Sequence, residues 1–100
     1  MLGTLYVVMT SEKEEDYQMI KDKLLKINPN FSVSPYKESY MEKNAIEFFV
    51  TFETEEDEVK TILAQLNNDW DGEYDDCIAY GFNTKMFDPL VYHLAFQLYD

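Results

Sequence analysis

The stretch Ala45-Ile46-Glu47-Phe48-Phe49-Val50-Thr51-Phe52, AIEFFVTF, decides how the chain is organised. Ile46, Phe48, Val50 and Phe52 alternate with Ala45, Glu47, Phe49 and Thr51, the period of a β-strand with one strongly apolar face. Such a strand needs partners on its edges and a cover for its apolar side, and the flanking sequence supplies both. Upstream, a turn near Glu42-Lys43-Asn44 leads back to a weaker strand over residues 31–41. Pro35 has no N–H to give a ladder, so this strand belongs at a sheet edge. Downstream, Thr54 stands where a helix N-cap is expected, and Val59, Ile62, Leu63 and Leu66 form the stripe of an amphipathic helix.

The N-terminal segment repeats the strand–helix theme. In residues 2–10, Leu5, Val7 and Met9 lie on one face and Tyr6 and Val8 on the other, which reads as a central strand. Ser11-Glu12-Lys13-Glu14 has the form of a capping box. After it Tyr17, Ile20, Leu24 and Ile27 recur at helical spacing until Asn28-Pro29-Asn30 stops the helix. Beyond the second helix, residues 67–76, NNDWDGEYDD, read as a solvated helix-to-strand loop, followed by a strand through Cys77, Ile78, Ala79, Tyr80 and Phe82. The order βαββαβ predicts an α+β, ferredoxin-like arrangement, an antiparallel sheet with two helices on one face. Residues 88–100 fit two patterns: a helix with Asp88 as N-cap and Pro89 at its first position, or a strand alternating Tyr92, Leu94, Phe96 and Leu98 with Val91, His93, Ala95 and Gln97. The Tyr, Val and Phe content favours an extra C-terminal strand.

One hundred residues make a single domain spanning 1–100, and 46% hydrophobic residues give it material for a core. The early apolar run from Leu5 to Met9 lacks a basic leader and is too short to span a membrane. A lone cysteine, Cys77, suits a reducing cytoplasm. The net charge of −12 is uneven, for residues 1–43 carry seven acids against six lysines and residues 44–100 carry thirteen against two. There is no arginine. Without that phosphate-gripping fork, and with this charge, direct nucleic-acid binding is not expected.

Five of the ten residues in NNDWDGEYDD are acids, and its spacing approaches a calcium loop. Counted from Asn67, positions 3, 5, 6 and 9 are Asp69, Asp71, Gly72 and Asp75, but position 12, where a bidentate glutamate is needed, is Ile78. No metal site is expected. A second acidic run, Glu55, Glu56, Asp57 and Glu58, complements a helix dipole but exceeds what the dipole needs. Placed at opposite ends of the second helix, the two clusters would stand about 20 Å apart as separate poles.

The remaining candidates are few. His93, the one histidine, sits among apolar residues and reads as a core or interface side chain before a general base. Cys77, beside acids that disfavour its thiolate, reads as a small buried hydrophobe. Three glycines cannot compose a phosphate-cradling loop, and no cofactor is expected. Tyr6, Phe49, Tyr80 (or its neighbour Ala79) and His93 are placed on the sheet face that the helices leave open, an apolar surface suited to a second subunit or a ligand.

The sequence therefore points to a small non-enzymatic interaction module, an inhibitor, immunity or regulatory protein. Glu55, Glu56, Asp57, Glu58, Asp69, Asp71, Asp75 and Asp76 would be offered to a basic protein partner. The alternative is a homodimer binding a small ligand, or a simple enzyme, on its aromatic sheet face around His93 and Tyr92.

Overall fold

The computed structural model describes residues 1–81 and 86–99. Strand β1 (Leu2–Met9) stands inside the sheet, with Leu5, Val7, Val8 and Met9 sealed from water as its two-sided apolar pattern demands. Helix α1 (Glu14–Ile27) buries Tyr17, Ile20 and Leu24. The expected capping box does not form. Ser11 Oγ instead donates to the Asp16 carboxylate (2.5 Å) and accepts the Lys13 amide (3.2 Å), and α1 starts only after Lys13. Glu14, Glu15 and Asp16 face the first-turn amides in its place and complement the dipole.

The edge segment breaks at Pro35 into β2 (Ser32–Val33) and β3 (Lys37–Glu38), both antiparallel to β4 (Ile46–Glu53). A ladder cannot run through a residue without an N–H. Helix α2 (Glu56–Leu66) buries all four residues of its expected stripe. Thr54 is not its cap, because Glu55 holds that position and Thr54 Oγ1 donates to the Glu55 carbonyl (3.2 Å).

The acidic stretch after α2 is not merely a loop. Asp71–Glu73 forms strand β5, paired with β6 (Asp76–Tyr80) around the turn residues Tyr74 and Asp75. Gly72 makes the close pairing with Cys77 possible. Its φ of 118° is one that side-chain-bearing residues avoid, and a Cβ there would lie 2.5 Å from the Asp76 carbonyl oxygen. The C-terminal segment is a strand, β7 (Val91–Tyr99), not a helix. Phe82, the last position of the strand expected after Cys77, lies outside the described residues.

The result is an α+β fold with a seven-stranded antiparallel sheet and two helices, in the order β2-β4-β1-β7-β6-β5 with β3 also on β4. The ferredoxin-like order is therefore corrected. It would seat the Cys77 strand beside β1, but β7 takes that place and β6 lies one strand further out. The reason is burial. The nine residues of β7 set Leu94 and Phe96 against Val7 and Leu5, whereas β6 is shorter and tied to a carboxylate-rich hairpin that needs water.

One bulge changes which side chains share a face. Val8 pairs with His93 but Met9 pairs with Val91, so Tyr92 is the extra residue. Val91 consequently turns into the core, where simple alternation would have grouped it with His93. Rows of paired residues cross the sheet. Phe48, Val7, Leu94 and Ala79 form one, and Val50, Leu5, Phe96 and Cys77 the next. Both helices pack on this side in one hydrophobic cluster. Lys23 of α1 pairs with the buried Asp88, whose other carboxylate oxygen accepts the Leu90 amide (2.8 Å), anchoring the approach to β7.

Candidate partner-binding surface

Where α2 ends, the chain turns back along it. Asn67 Oδ1 accepts the Asp69 amide (2.7 Å), and Trp70 Nε1–H donates to the Leu63 carbonyl (2.8 Å), a helix-end oxygen that also accepts the Asn67 amide (3.1 Å). Trp70 is thus clipped to the end of α2. The hairpin then carries Tyr74 to the start of the same helix, where its hydroxyl donates to Glu56 Oε1 (2.9 Å). Lys60 Nζ stands 5.7 Å from the centre of the Tyr74 ring, within cation–π range.

The hairpin thus reaches back to the acidic start of α2. Glu55, Glu56 and Asp57 line a depression with Lys60, and Lys60 is also on the wall of an adjoining groove of about 460 Å³. That groove is floored by Leu63, Ala64, Trp70 and Cys77 and edged by Glu73 and Tyr74. The carboxylate-lined depression and the largely apolar one share the Lys60 wall on α2.

The eight acids singled out in the sequence are all exposed, yet they do not form one patch. Glu55 to Glu58 sit at the start of α2, Asp69 beyond its end and Asp75 at the hairpin tip. Asp71 pairs with Ile78 and Asp76 with Gln97, which assigns both to the sheet face opposite the helices. What sequence reasoning missed is the role of Trp70 and Tyr74. Two large aromatics in an otherwise polar run are a legible sign that the run docks back on the core.

The helix-free face carries two contrasting rows. Phe49, Tyr6, Ala95 and Ile78 lie side by side, with Tyr6 and Phe49 ring centres 5.3 Å apart and Phe49 42% exposed. The next row, Glu47, Val8, His93 and Tyr80, is largely closed off, Glu47 being 6% and His93 4% exposed. The Tyr40 amide donates to Glu47 Oε1 (3.3 Å), and burial with the nearby Glu47 carboxylate pushes the Tyr6 phenol above its ordinary value. Tyr6 lies against both Phe49 and His93, and His93 against Tyr80, while Ala79 turns to the core.

His93 Nδ1 lies 3.1 Å from the Ala79 carbonyl, which can only accept, so this nitrogen carries the proton. Burial lowers the pKa of the imidazole, partly offset by that hydrogen bond, and the Tyr80 ring lies 4.4 Å away. A neutral ring held this way is a packed polar element. Cys77 cannot serve as its nucleophile, for it points into the core on the opposite face, where burial and then Asp76 and Asp75 push the thiol up to about 11.

Among the described residues no group of three or more His, Cys, Asp or Glu is disposed to hold a metal ion, and no helix is long and apolar enough to cross a membrane. Comparison with protein-family models, curated proteins and solved structures finds no match to this chain.

Proposed function

We propose that the chain is an acidic protein–protein interaction module, of the inhibitor, immunity or regulatory kind, that presents carboxylates to a basic partner. The observation that carries this reading is the Tyr74–Glu56 hydrogen bond, which fixes the hairpin against the acidic start of α2. Glu55, Glu56 and Asp57 thereby share one surface with Tyr74, whereas Asp71 and Asp76 lie on the opposite sheet face. In the acidic half, Lys60 is the single lysine among the described residues, and its charge is engaged over the Tyr74 ring. Complementary charge of this sort mainly accelerates encounter.

The test begins with a pull-down from the source cell lysate at low and high salt. Association rates are then measured for the captured partner with two variant chains. One replaces Glu55, Glu56, Asp57 and Glu58 by their amides, and the other does the same to Asp69, Asp71, Asp75 and Asp76. Slower association in both, converging with the parent as the Debye length falls from about 30 Å at 0.01 M to about 3 Å at 1 M salt, supports the reading. Rates indifferent to salt and to both substitutions would leave the carboxylates as solubilising groups only.

A second reading, self-association through the helix-free face, is favoured by Leu2, Phe49, Ile78 and Tyr99, all exposed on that face. Light scattering across a dilution series, with Phe49→Glu as comparison, decides it.

A further inference from the structure

We propose that the groove along α2 is the docking site for an extended basic segment with one large apolar anchor residue. This rests on the carboxylate reading above and assigns it a place and a specificity. The apolar end, floored by Leu63, Ala64, Trp70 and Cys77, has about 460 Å³, within the range of pockets that seat buried side chains. The acidic end, lined by Glu55, Glu56 and Asp57 with Lys60 engaged over the Tyr74 ring, takes cationic side chains. A purely acidic ligand is disfavoured by the three carboxylates of the acidic end, and a purely polar basic one leaves the apolar floor unfilled.

The spacing of the two ends sets the spacing of the ligand. From Ala64 to Glu56 the helix rises about 12 Å at 1.5 Å per residue. An extended peptide covers that in about four residues at 3.3 Å each. The segment that fits has its apolar anchor about four positions from a pair of lysines or arginines. Strand addition is a poorer mode here, because the outer strand β5 has only three residues to pair.

The probes are two synthetic nine-residue peptides, each with a Lys-Lys pair. In one a leucine stands four positions from the pair, and in the other that leucine is serine. Trp70 is the only tryptophan of the chain and lies in the groove, so its emission reports occupancy directly. The leucine peptide is expected to bind about tenfold more tightly and alone to shift Trp70 emission, as burial of one apolar side chain implies.

Ala64→Glu separates charge from shape, since Ala64 is exposed and the substitution adds a carboxylate while filling the groove. The leucine peptide should lose its advantage in this variant, whose folding is checked by thermal melting. Tighter binding of both peptides to Ala64→Glu would overturn the groove. Equal, salt-sensitive binding of both peptides to the parent chain also overturns it, while leaving the carboxylate reading intact. Binding of neither at any salt removes the groove and the carboxylate reading together.

Discussion

On the helix-covered side of the sheet, Leu5, Val7, Phe48, Val50, Leu94 and Phe96 are all at most 1% exposed, and every one is apolar. On the opposite side the same strands bury Val8, Glu47 and His93 but leave Phe49 and Ile78 in water. The first face is closed by helices that bring matching apolar stripes. The second is closed only in part, by rings and backbone donors from the segment around Tyr40 and from Tyr80, and there polar groups appear in the buried row. One strand alternation therefore yields one fully closed face and one partly open face.

The sharpest way to break this comparison is to truncate adjacent phenylalanines that point to opposite sides. Phe48→Ala should cost about 3–5 kcal/mol, since its ring meets Tyr17 edge-on at 5.2 Å and a cavity would remain. Urea denaturation measures it, and a loss below about 1 kcal/mol would mean the helices do not close that face.

Gly3→Ala should be the next most damaging. A Cβ at Gly3 would meet the Phe52 ring at 2.7 Å, and that ring is held between Phe31 and Phe96 at centroid distances of 4.8 and 5.9 Å. Overpacking of this type costs about 1–3 kcal/mol, read as a fall in urea midpoint at unchanged slope.

The buried polar row predicts a pH dependence that the apolar face lacks. His93 has its folded pKa below the ordinary 6.5, so between the two values the unfolded chain binds the extra proton. Its contribution is complete above 6.5 and declines as pH falls below it. The Tyr6 and Tyr80 rings flank the imidazole at centroid distances of 6.1 and 4.4 Å. Melting curves for the parent and His93→Gln, taken at pH values on either side of 6.5, should show the parent losing more on acidification. Parallel pH profiles would show that His93 is not held neutral.

Smallest of all should be Phe49→Ser, which leaves the monomer within about 0.5–1 kcal/mol because the side chain is already half in water. A larger loss that grows with protein concentration would identify this face as a subunit interface.

Much of the fold was legible locally. The period of two in residues 45–52 identified which side of β4 is buried, the stripes of α1 and α2 were readable from their spacing, and Pro35 marked an edge strand but not its break in two. Caps were less legible, because Ser11 and Thr54 have nearby partners that outcompete the first-turn amides. Of the candidate site, alternation placed Tyr6 and Phe49 on one face but left Tyr80 or Ala79 open, and the pairing of Tyr80 with His93 decides it. The association of Glu56 with Tyr74 did not follow from alternation.

What the sequence by itself determined is each segment's periodicity, hence its type and the face it buries, because those depend on side chains a few residues apart. Tertiary structure alone decided that β7 and not β6 lies against β1, that Tyr92 bulges and turns Val91 inward, and that the acidic hairpin returns along α2. Several strands carry apolar faces that would suit β1, and the choice falls to the pairing that buries most apolar surface while leaving carboxylates in water. That competition is between segments distant along the chain, and no local pattern records its outcome.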